Sequence, residues 1–116
     1  MRFLWLEIFA MRFALIDDEY EFGRLAKKVD LGEYPTPGSA RTYYIEDYDA
    51  DGTAMLVTLG DCSMLDILEV GLLLVHEAVH CAQFTFDTIQ EELPGQEIEA
   101  YTVQHFSRLL LREYVH

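Results

Sequence analysis

The chain has 116 residues and a mass of 13.4 kDa, room for one hydrophobic core and not for two, so a single domain over residues 1–116 is expected. Hydrophobic residues make up 51%, which argues against global disorder. With 21 Asp+Glu against 8 Lys+Arg the net charge is -13, which argues against direct nucleic-acid binding through a basic patch and favours either basic protein partners or simply solubility, between which charge alone does not choose.

Residues 3–16 are apolar but interrupted by Glu7 and Arg12, and no small-residue cleavage site follows; they read as core, not as a signal. The polar positions 2, 7 and 12 fit neither the helical nor the strand period, so both remain open. Phe3, Leu4, Trp5, Leu6, Ile8, Phe9 and Phe13 offer more apolar surface than a small core needs. This segment therefore either covers the rest of the fold or seats a partner, a homodimer being one outcome. Both Met1 and Met11 are open as the functional start. An uninterrupted apolar run of roughly 20 residues is missing, so no membrane span is expected.

Asp17, Asp18 and Glu19 suit a helix N-terminus, and Lys27 and Lys28 its end, which predicts about three turns stopping by Gly32. Residues 34–38 (YPTPG) form a loop. Residues 41–47 (RTYYIED) and 53–59 (TAMLVTL) are rich in strand formers and flank an Asp51-Gly52 turn, a β-hairpin signature. Asp49 and Asp51 hint at a calcium loop, but the closing Glu is missing and the turn reading wins. Ser63 and Asp66 have capping-box spacing and open a helix over residues 65–84 that is apolar on almost every side, hence central and buried. Leu93-Pro94-Gly95 ends that region, and residues 96–114 form a last helix with acids first and Arg108 and Arg112 near its end. Cys62 falls in a loop and Cys81 in an apolar helix, which is no disulfide framework and fits a cytoplasmic location.

The apolar helix contains His76-Glu77-Ala78-Val79-His80. Two histidines four apart share one helical face and can chelate one zinc ion, while Glu77, one position round, reaches a water there as general base. Chance would produce this H-E-x-x-H pattern about 0.01 times in such a composition. A catalytic zinc needs a third protein ligand, and the candidates are Glu97 and Glu99 on the last helix. Glu99 is preferred because it shares a stripe with Val103, Phe106 and Leu110, the face expected to pack on the motif helix.

Over residues 41–112 the chain resembles the zincin metallopeptidases, specifically the glutamate-ligand branch typified by thermolysin, and small phage and mobile-element proteins with an HExxH helix and a following Glu-Ala-Tyr look especially similar. The resemblance implies an α+β fold, a minimal zincin-like core in which a β-hairpin packs on a buried HExxH helix and a C-terminal helix. It also implies Zn2+ held by His76, His80 and Glu99, with Glu77 as catalytic base. The chain departs from the family where an Asp four residues after the third ligand orients a histidine; Val103 stands there. With no second domain to supply an oxyanion-stabilising group, His105, Tyr101, Tyr114 and His116 are the candidates. The expected function is zinc-dependent hydrolysis of peptide bonds in a peptide or protein substrate, basic sequences being favoured. The alternative is an acidic zincin-fold inhibitor or interaction protein that blocks a basic partner.

Overall fold

In the computed structural model residues 2–7, 9–88 and 95–115 are described. The Leu93-Pro94 part of the expected helix break and the candidate His116 lie outside them. The N-terminal segment resolves as strands: β1 (Leu4–Leu6) and β2 (Met11–Ile16), paired antiparallel with Leu4 opposite Phe13 and Leu6 opposite Met11. Asp18 caps α1 (Glu19–Ala26), its side chain accepting from the Tyr20 N–H at 2.8 Å. That helix is 8 residues long, a turn shorter than the charge pattern predicts. The hairpin follows as β3 (Ala40–Asp49) and β4 (Gly52–Leu59), then α2 (Ile67–Thr88) and α3 (Gln96–Val115).

The four strands make one mixed sheet in the order β1-β2-β4-β3, with β2 and β4 parallel and the other pairs antiparallel. Among the described residues an α+β architecture with a four-stranded sheet and three helices results. The central strands are apolar on both faces, as double-sided burial requires. Phe13, Leu15, Met55, Val57 and Leu59 meet Val70, Leu74, Phe106 and Leu110 of the two long helices. Alternate residues Ala14, Ile16, Ala54 and Leu56 meet Phe22 and Leu25 of α1. Much of the N-terminal segment is therefore core, with Leu6 and Phe13 buried and Trp5 exposed.

The loop before β3 is held against the end of β4 by close backbone approach. Gly60 donates to the Ser39 carbonyl at 2.9 Å, and a Cβ on Gly60 would stand 2.3 Å from the Thr36 carbonyl oxygen. No side chain fits there, so glycine is required. At the far end of the hairpin, Arg12 donates to Asp49 at 2.7 Å and Asp51 at 2.6 Å, and Asp49 also accepts from the Asp51 N–H. The two carboxylates are thereby engaged in shaping the turn. β3 is an edge strand: its outer side pairs with no strand among the described residues.

Candidate metal centre

The capping box of α2 lies three residues later than the sequence pattern indicates. Asp66 accepts from the Glu69 N–H at 2.8 Å and Glu69 accepts from the Asp66 N–H at 3.3 Å, the reciprocal arrangement that satisfies two donors at a helix N-terminus. Ser63 instead donates its N–H to Asp61. From this start the helix runs without proline through 22 residues, long enough to carry both His76 and His80 well away from its ends.

Val70, Leu74, Ala78 and Cys81 turn towards the sheet. Glu77 stands on the adjoining strip and is 4% exposed. A buried carboxylate needs a partner, and it has one: the Thr42 hydroxyl of β3 donates to Glu77 Oε1 at 2.8 Å. The other oxygen, Oε2, lies 4.0 Å from His76 Nε2. His76 is exposed and His80 half-buried, their rings edge to face with centroids 5.0 Å apart. His80 Nδ1 lies 3.2 Å from Gln83 Oε1; when Nδ1 carries the proton it donates to this oxygen and leaves the Nε2 lone pair available.

One ligand atom from each of His76, Glu77 and His80 can be chosen so that all three lie within 4.8 Å of one another, and no other trio of His, Cys, Asp or Glu among the described residues does the same. The three residues offer imidazole nitrogen and carboxylate oxygen, a donor set that could hold a metal ion. Glu77 is held by Thr42, and His76 beside it is exposed.

Glu99 and Glu97 lie in the first turn of α3, both exposed, and neither belongs to this trio. The shared stripe is real further along, where Val103 packs against the core and Phe106 and Leu110 are buried. It does not extend to residues 95–101, which are all exposed. Among the proposed oxyanion candidates, His105 packs on Phe9 and Phe106, and burial together with Arg108 pulls its pKa down. Tyr101 is exposed. Tyr114 packs against the core and borders a small cavity with Asp17, Asp61 and Ser63. Cys81 is core: burial, then the Glu77 charge, pushes its thiol up to about 12. Beside His76 a shallow groove of about 460 Å³ is lined by Gly38, Leu65, Glu69, Leu72 and Leu73.

Two contributors were not found from sequence. Gln83 had a legible signal, since three residues past His80 places it on the same helical face. Thr42 had none, because its approach to Glu77 depends on how the edge strand lies across α2. No protein-family model, no curated protein and no solved structure matches the chain.

Proposed function

We propose that this protein is a small zinc-dependent metallopeptidase of the zincin type, with His76 and His80 as metal ligands, Glu77 as general base and Glu99 as the third ligand that the family resemblance implies. The observation that carries the reading is the division of the trio. One imidazole, His76, is exposed and the other, His80, half-buried, while the carboxylate between them is buried and held by Thr42. A site that only staples a fold has no use for a carboxylate fixed in this way.

When bound, zinc supplies a Lewis acid for the scissile carbonyl and lowers the pKa of water. Thr42 holds Glu77 Oε1 and so sets the rotation of the carboxylate. Oε2 then accepts the proton of the attacking water and returns it to the leaving amine. Gln83 keeps the His80 ring from turning. The outer side of β3 pairs with no strand among the described residues, and an extended substrate aligned along it would lie alongside Thr42. The groove beside His76 accepts an apolar side chain of that peptide, and the charge of -13 favours basic sequences.

The test is Glu77→Gln, which is nearly isosteric and can still accept from Thr42. Zinc content, measured by elemental analysis, should stay near one per chain, while cleavage of a mixed basic-peptide library should fall about 10²–10⁴-fold. Cleavage equal to wild type would rule out the peptidase reading. In the same assay Glu99→Gln should lose zinc and Glu97→Gln should keep it; the reverse would move the third ligand to Glu97.

A further inference from the structure

Helix α2 carries two apolar rows, and its packing uses one of them along its length and the other only at its C-terminal end, where Phe86 is buried. Val70, Leu74, Ala78 and Cys81 are at most 2% exposed against the sheet. Leu68, Leu72, Val75 and Val79 repeat the same helical spacing on the outer side and are 68, 63, 38 and 38% exposed. A long apolar helix needs one such row to attach it to its own core; a second, contiguous and facing solvent, marks an interaction surface.

The charges around the row define what fits it. None of the 8 Lys and Arg lies between Asp61 and Asp87, whereas Asp61, Asp66, Glu69 and Asp87 are all exposed. A second copy of the chain would bring these acids against their own kind, with -13 on each side. An anionic lipid surface would be repelled for the same reason. The complementary surface is an apolar row bordered by cations.

We propose that the outer face of α2 docks a basic amphipathic helix of another protein, its apolar anchors laid along Leu68, Leu72, Val75 and Val79 and its cations on Asp66, Glu69 and Asp87. Apolar anchors recurring every three or four residues on such a helix match the recurrence on α2. Leu72 and Glu69 also line the groove beside His76, so the docked segment passes beside the candidate metal centre and occupies part of that groove. The surface rests on exposure and charge alone and does not depend on the metal or on catalysis.

The test uses a fluorescein-labelled 18-residue peptide of Leu and Lys in helical amphipathic order, with a control of identical composition in scrambled order. Anisotropy at 0.15 M salt should show the ordered peptide binding at least 10-fold more tightly than the scrambled one. Leu68→Ser/Leu72→Ser should erase that difference while leaving the circular dichroism spectrum and melting temperature unchanged. Glu69→Gln/Asp87→Asn and 0.5 M salt should each weaken binding by several-fold. Glu77→Gln should bind as wild type does, so failure of the peptidase reading leaves this result untouched. Equal binding of both peptides overturns the proposal. So does sedimentation of the chain alone as a dimer that the double serine variant dissociates, which would make a second copy the occupant. Association with phosphatidylcholine vesicles that the same variant abolishes would make a membrane the occupant and overturn the proposal equally.

Discussion

The inner and outer faces of α2 are built from the same residue types and answer to different demands. Inside, Leu74 and Ala78 are fully buried and meet a sheet whose own side chains alternate to receive them. Outside, Leu72, Val75 and Val79 stand in solvent beside two histidines. Glu77 belongs to neither set: it is a charge-bearing group on the inner side, positioned by Thr42 from the neighbouring strand. Residue type alone does not separate a packing row from a recognition row on one helix. What separates them is the presence or absence of a surface opposite.

Truncating equivalent residues on the two faces gives the largest contrast. Leu74→Ala removes a fully buried side chain and should destabilise the protein by about 2–5 kcal/mol, the transfer and cavity costs together. Leu72→Ala, two positions away and 63% exposed, should stay within about 0.5 kcal/mol of wild type. Urea unfolding followed by circular dichroism measures both. Comparable losses at the two positions would mean that the outer face is covered in the free protein, and the docking surface would fall with it.

How far the sequence reveals the molecule varies by region for physical reasons. The hairpin was legible because Asp51-Gly52 and the flanking Thr, Tyr and Val residues are local signals, and β3 and β4 fall within two residues of the expected bounds. The N-terminal segment was ambiguous because β2 is buried on both faces and so lacks alternation. For α2 the reading erred in expecting burial all round. Its length and composition would suffice for a membrane span, yet only 33% of an apolar 18-residue stretch of it is buried, since apolar character does not say which face has a partner. His76, Glu77 and His80 were found because their spacing is itself the geometry. Thr42, 35 positions from Glu77 in sequence, comes to it only through tertiary packing.

The outer histidines make a second, smaller contrast. If they hold zinc, the metal binds the native helix and not the unfolded chain, so free zinc at 100 times its dissociation constant should stabilise by about 2.7 kcal/mol, on the order of 10 °C in melting temperature. His80→Ala should abolish the rise without costing core packing, because the ring is not part of either buried cluster. Gln83→Leu should keep the fold and weaken zinc roughly 10-fold or more, through loss of the partner for His80 Nδ1. A melting temperature indifferent to zinc in the wild type would leave the trio without its metal.

The smallest effect lies farthest from α2 and checks whether the sheet end is held as tightly as the helix side. Burial of Asp49 acts to raise its pKa, but the Asp51 N–H and the Arg12 guanidinium outweigh it and hold the carboxyl below its ordinary value of 3.8. A carboxyl with a lowered folded-state pKa binds protons more readily in the unfolded chain, so stability falls as the solution is acidified. The contribution is complete above the ordinary value and is lost as pH drops below it through the folded-state value. Arg12 is charged throughout this range, so the change belongs to the carboxyl. Asp49→Asn should therefore lower stability at pH 7 by a small amount and flatten the dependence on pH below about 4. Because the pair is exposed to solvent, 0.5 M salt should shrink the difference further. Chemical denaturation of both proteins between pH 3 and pH 7 measures it, and parallel curves would mean that Arg12 contributes nothing through this contact.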